Sequence, residues 1–256
     1  MTTSPPTSIV KSTYSPTALL SSILSRFSHY YSLTKSYIYD IIILRMTELW
    51  YRTVLQKLPD GSILLDVGIG TSGALLRCVD LIQQKNLKVV GIDIDASYVQ
   101  AGKLSVEEMG LGDRISINVV DVYDGKETVL QLAKELGATE NERGQFVDAV
   151  YFSGSFSLLP DPVKALQLVS QYVKDGGDEK RGHVYITQTY QRKTPFFLPY
   201  IKPLMKYATT IDFGNLVREE EALKTFEESG LTLLEHTVIH GSVDNAMQAA
   251  YVSVLR

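Results

Sequence analysis

Apolar positions change their period along the chain, and the changes mark out the elements. From about Thr17 to Phe27 and again from about Thr34 to Lys57 they recur at helical spacing, the second stretch carrying Ile38, Ile41, Ile42, Leu49, Trp50, Val54 and Leu55. The pattern then shortens to compact apolar runs that suit strands covered on both faces: Ile63-Leu64-Leu65 with Val67, Leu87 to Asp93, Ile115 to Val120, Phe146 to Phe152, and His183 to Thr189. Helical periods separate these runs. Ala74, Leu75, Leu76, Cys78, Val79, Leu81 and Ile82 predict one helix behind the first strand. Further helices are predicted over 97–109, stopped by Gly110, over 127–136, over 162–173 and over 218–228, stopped by Gly230. Asp161 as N-cap and Pro162 at the first helical position launch the third of these. The polar stretch from Ala138 to Gln145 reads as an exposed loop. Leu231 to His240 and Met247 to Leu255 are strands joined by Gly-Ser-Val-Asp-Asn. Strands so close in sequence must pair antiparallel, because a parallel crossover needs a dozen or more residues.

Strands alternating with helices predict an α/β domain with a mostly parallel sheet closed by an antiparallel hairpin, over residues 59–256. Residues 17–58 read as a helical segment ahead of it, with an aromatic cluster of His29, Tyr30, Tyr31, Tyr37 and Tyr39 that serves either as cover for the sheet edge or as a lid. Residues 1–16 are rich in Ser, Thr and Pro with Lys11 as their only charge, which suits a disordered tail. An acid-free start as far as Asp40 is also what an organellar transit peptide looks like, but arginine is sparse, and a cytoplasmic chain is the expectation.

Charge narrows the partners. The 256 residues carry 25 basic and 29 acidic side chains, a net charge of −4, so no positive field gathers nucleic acid, and a small-molecule substrate is favoured. The single cysteine, Cys78, permits no internal disulfide and sits in an apolar helical pattern, as core packing would. No apolar run approaches the roughly 18 residues of a membrane span, so no stable membrane insertion is expected. His236 and His240 share a strand face but stand roughly 13 Å apart, too far to share a metal ion, and no metal site is predicted.

The chemistry concentrates where the first strand meets its helix. In Asp66-Val-Gly68-Ile69-Gly70-Thr-Ser72-Gly73 the glycines allow a sharp turn and let a ligand touch the main chain. Gly68-x-Gly70-x-x-Gly73 alone also fits the dinucleotide fingerprint. Asp66 changes the reading, since a carboxylate at the strand tip suits an ammonium and repels a pyrophosphate. Asp93, ending the second strand and followed by Ile94, can take both hydroxyls of a ribose, with a solvated strand end as the plain alternative and Asp95 as a helix cap.

This stretch resembles motif I of the class I S-adenosylmethionine-dependent methyltransferases, with Ser72 where many members have a third glycine. The resemblance covers about Gly61 to Arg256. It implies a Rossmann-like methyltransferase fold with seven strands in the order 3-2-1-4-5-7-6, S-adenosyl-L-methionine as cofactor, and Asp66 facing the methionyl amine. It also implies Asp121 on the adenine amino group, the Val122 backbone N–H on a ring nitrogen, and Ser153-Gly154 beside the glycine turn. The substrate half is less marked and looks somewhat like the quinone-biosynthesis C-methyltransferases. Ser153-Gly154-Ser155-Phe156 replaces the Asn/Asp-Pro-Pro-Tyr of enzymes that methylate planar nitrogens, and Thr187-Gln188-Thr189 lacks the acids of metal-dependent catechol methylation. His29, Tyr31 and Tyr190 are candidate bases, with ordinary packing as the competing role, and the aromatic stretch from Tyr190 to Phe213 is expected to shape a pocket. Two other readings stand beside methyl transfer to a small molecule. One is an NAD-dependent oxidoreductase. The other is a catalytically silent interaction protein. Oligomeric state is not legible.

Overall fold

A computed structural model describes residues 44–175, 182–192 and 217–256, all inside the compact unit that runs from Ile43 to Arg256. The expected tail, the aromatic cluster with His29 and Tyr31, and the insertion beyond Arg192 lie outside the described residues.

Seven strands form one sheet: β1 (Ile63–Val67), β2 (Lys88–Asp93), β3 (Ile115–Val119), β4 (Ala149–Ser153), β5 (His183–Gln191), β6 (Leu233–Val238) and β7 (Gln248–Leu255). Their order is β3-β2-β1-β4-β5-β7-β6, as the resemblance implied. β1 to β5 run parallel, and β7 enters antiparallel between β5 and β6, closing the predicted hairpin.

Burial on both faces follows the two-residue alternation of the strands. Ile63, Leu65, Val67, Val90, Ile92, Val150 and Phe152 point to one face, against α5 (Lys126–Glu135), α6 (Pro162–Ser170) and α7 (Glu219–Glu228). Leu64, Val89, Ala149, Tyr151 and Val252 point to the other, against α1 (residues 44–57), α2 (Gly73–Leu76), α3 (Val79–Gln84) and α4 (Ala96–Glu108).

Helix α1 is stitched to the sheet through Trp50, Tyr51, Val54, Leu55 and Leu58, an i, i+4 stripe that is buried throughout. The Trp50 indole N–H donates to Ser242 Oγ at 3.0 Å, and Lys85 Nζ donates to the C-terminal carbonyls of Leu55, Gln56 and Leu58, which the helix leaves without internal donors. Arg52 bridges Glu48 and Asp80, tying α1 to α3.

Three boundaries differ from the sequence pattern for local reasons. The single helix expected after the glycine turn is two, α2 and α3, because the Arg77 carbonyl at the break accepts from Arg52 Nη2 at 3.1 Å and Cys78 N–H turns back to the Leu75 carbonyl. β4 begins at Ala149 rather than Phe146, since the Phe146 and Val147 N–H groups donate to the Tyr172 carbonyl, and α6 stops at Ser170, short of that turn. β5 continues to Gln191 because β7 pairs with it through Gln191↔Gln248. Cys78 is buried as expected, and burial pushes its thiol up to about 12.

Candidate active site

The C-terminal edge of the parallel strands gathers the predicted residues, starting with the glycine turn. Gly68 (φ +76°) and Gly70 (φ +59°) adopt left-handed backbone, and the Gly68 and Ile69 N–H groups both donate to the Ile92 carbonyl, at 2.8 and 3.1 Å. The two glycines serve different ends. A Cβ on Gly68 would lie 2.4 Å from Ser155 Cβ, because the segment after β4 crosses the turn there and the Ser155 hydroxyl donates to the Val67 carbonyl. A Cβ on Gly70 would meet no atom of the described residues within 4 Å, so among them that side of the turn is open.

Ser72 also sits at positive φ, +60°, which explains why glycine is the easier residue there. An L side chain in that region costs roughly 1–2 kcal/mol. The Ile69 side chain is buried over Gly91, where a β2 Cβ would stand 2.4 Å from Ile69 Cδ1, so Ile69 offers the site only its backbone. Gly73 opens α2, where an added Cβ would lie in ordinary contact with Leu44.

Asp93 holds the turn from β2. Its Oδ2 accepts from the Gly70 N–H and its Oδ1 from the Asp95 N–H, both at 2.9 Å. Asp95 is committed to capping α4, accepting from the Ser97 N–H at 2.8 Å. Next to Asp93, Ile94 is 77% exposed, an apolar side chain left bare on the same edge. The end of β3 presents Asp121, exposed, with Oδ1 accepting from the Tyr123 N–H at 2.9 Å, while the Val122 side chain turns into the core. At the end of β4, Gly154 (φ +73°) donates its N–H to the Thr187 carbonyl at 2.8 Å, against Trp50 of α1.

Asp66 is fully buried. Its Oδ2 accepts from the Tyr51 hydroxyl at 2.7 Å, and its Oδ1 has no partner among the described residues. Burial pushes the carboxyl up to about 7; the Tyr51 hydrogen bond pulls it down and the Asp93 charge pushes it up further. Tyr51 packs edge-on against Tyr151 with ring centres 5.1 Å apart, and the Tyr151 hydroxyl pairs with Thr187 Oγ1 at 2.7 Å.

Among the described residues, five buried side-chain atoms lack a hydrogen-bond partner: Asp66 Oδ1, Ser72 Oγ, Ser153 Oγ, Gln188 Oε1 and Tyr190 Oη. By the alternation of the strands, Asp66 and Ser153 point to the Tyr151 face of the sheet, whereas Gln188 and Tyr190 point to the opposite face with Ile186. Buried polar groups are ordinarily satisfied, so an unpartnered carboxylate oxygen at a strand tip stands out.

Tyr190 is 1% exposed and lies in an aromatic group with His236 and Tyr251. Burial lifts its phenol above the ordinary range, so at neutral pH it keeps its proton and can donate but not abstract. His236 is engaged at both ring nitrogens, Nδ1 with Ser253 Oγ at 2.8 Å and Nε2 with Glu219 Oε1 at 3.3 Å.

Sequence reasoning placed Ser155 beside the glycine turn but missed Tyr51, Gly91 and Gln188 as parts of this edge. For Tyr51 a signal existed, since 51, 54/55 and 58 share a helix face. A glycine within the apolar run of β2 was the signal for Gly91. Gln188 takes its place through pairing with β7, which no local pattern shows.

No protein-family profile and no curated protein matches the chain. Solved structures do. A SAM-dependent methyltransferase from Aquifex aeolicus superposes with a TM-score of 0.56 at 17% identity, over 86% of this chain and 97% of that one. The [4+2]-cyclase SpnF gives 0.57 at 16% identity over 82% and 81%. A geranyl diphosphate methyltransferase in complex with SAM gives 0.56 at 15% identity over 81% and 84%. The chain has the Rossmann-like fold of these proteins.

Proposed function

We propose that the chain binds S-adenosyl-L-methionine along this edge and transfers its methyl group to a small-molecule acceptor. The observation that carries the reading is the unpartnered, buried oxygen of Asp66 beside a turn left open at Gly70. A lone carboxylate oxygen away from water is costly unless a donor or cation meets it, and the methionyl ammonium is both. In this reading Asp66 holds the ammonium, Asp93 the ribose hydroxyls, and Asp121 with the Val122 backbone N–H the adenine. Ile94 gives apolar cover. The main chain of Gly68, Ile69, Gly70, Ser72 and Gly73 lines one side, and Ser153 and Gly154 close the other.

When bound, the cofactor supplies an electrophilic methyl carbon on a sulfonium. What the chain contributes is position and exclusion of water, which serve an in-line displacement more than any single base does. Tyr190, buried with His236 and Tyr251 on the sheet face opposite Asp66, fits the packing role that competed with catalysis. His29 and Tyr31 stay candidate bases on the sequence alone. The net charge of −4 favours an uncharged or cationic small acceptor over nucleic acid.

Two observations bear on the alternatives. A dinucleotide would bring its pyrophosphate towards the buried Asp66 carboxylate, which opposes the oxidoreductase reading. The cyclase among the structural neighbours has this fold under the name of another reaction, so cofactor binding without methyl transfer is the second reading. Calorimetry with S-adenosylhomocysteine and NAD separates the first pair. Micromolar binding of the former and none of the latter is expected; the reverse would end the methyltransferase reading.

A further inference from the structure

We infer that Tyr51 of α1 is a positioning residue for the cofactor site: by donating to Asp66 Oδ2 it fixes the carboxylate and leaves Oδ1 to receive a cationic group. This rests on the proposed cofactor reading and deepens it. The hydrogen bond is 2.7 Å long and both side chains are buried. Tyr51 is itself held, edge-on against Tyr151, whose hydroxyl is anchored on Thr187. A continuous run of contacts therefore leads from β5 through β4 and α1 to the tip of β1. Without the Tyr51 hydroxyl, both oxygens of Asp66 would stand unpaired in the interior, and the group would take up a proton instead of meeting an ammonium.

The groups that face Asp66 set the sign of the pH response. From α1 comes the Tyr51 hydroxyl, which favours the carboxylate; from β2 comes Asp93, whose charge disfavours it; from β4 comes Tyr151, whose phenol stays protonated through burial. With Asp66 titrating at about 7, affinity for a ligand bearing an ammonium rises as pH climbs through neutrality. Removing the Tyr51 hydroxyl takes away the favourable contact, so the rise moves to higher pH.

The test uses the full chain and two ligands. S-adenosylhomocysteine carries the ammonium; 5′-methylthioadenosine keeps the adenosine and sulfur without the amino-acid arm. Tyr51→Phe, which preserves the ring and its packing, is expected to weaken S-adenosylhomocysteine by about ten-fold at pH 7, the scale of a hydrogen bond to a charged group. Methylthioadenosine should stay within about two-fold, and the S-adenosylhomocysteine penalty should narrow by pH 8.5. In an Asp66→Asn background the same substitution should have no selective effect, since the carboxylate it serves is gone. Equal losses for both ligands, no loss for either, or an undiminished penalty when Tyr51→Phe is combined with Asp66→Asn would overturn the assignment while leaving the cofactor reading intact. Failure of the unaltered protein to bind S-adenosylhomocysteine would overturn both.

Discussion

Gly68 and Gly70 share a positive φ and a motif, yet their surroundings assign them opposite tasks. Alanine at Gly68 forces a methyl against Ser155 in a backbone region L residues avoid, and is expected to destabilise the protein by about 2–4 kcal/mol in urea unfolding. Alanine at Gly70 meets no protein atom and should cost only about 1–2 kcal/mol, the backbone penalty alone. Its methyl nevertheless projects into the open side of the turn, so S-adenosylhomocysteine affinity should fall at least about ten-fold. Both substitutions acting alike, on stability or on binding, would remove the distinction. Residue identities at this edge were readable because each has local chemistry: an acid at a strand tip, glycines at a turn. Tyr51 escaped notice because its role depends on which strand its helix lies across.

At the scale of elements, the sequence pattern placed every described strand and the N-caps at Asp95 and Asp161, since alternation and capping are local physics. Where it erred, a distant partner decided. Arg52 splits the expected helix into α2 and α3, and β7 extends β5. For residues 17–58 the sequence left cover for the sheet edge and a lid both open; the described part, residues 44–57, packs Trp50, Tyr51, Val54 and Leu55 into one of the two main clusters of the core. Leu55→Ala should therefore cost about 2–5 kcal/mol by chemical denaturation, as for any fully buried leucine. A cost below about 1 kcal/mol would mean that α1 is detachable after all.

Across the whole molecule, sheet order and burial set the unpartnered Asp66 oxygen beside the glycine turn at the C-terminal edge of the parallel strands, and this is what turns a fold into a functional reading. The fold was legible because a motif, a parallel pattern and a terminal hairpin agree. The acceptor side was not, since the pairing of β4 with β5 ends at Ser153↔Thr187 and the residues beyond it, Gln188 and Tyr190, pair with β7, which local patterning does not show. Binding of the cofactor and transfer of its methyl group are separate steps, and each has its own readout. Incubating the protein with S-adenosylmethionine labelled on its methyl group and a metabolite extract tests both at once. Label passing into a small acceptor, with stoichiometric S-adenosylhomocysteine and loss of transfer in Gly70→Ala, is the predicted result. Bound cofactor with no transfer to any extract fraction, under conditions where the protein stays folded, would contradict the methyltransferase account.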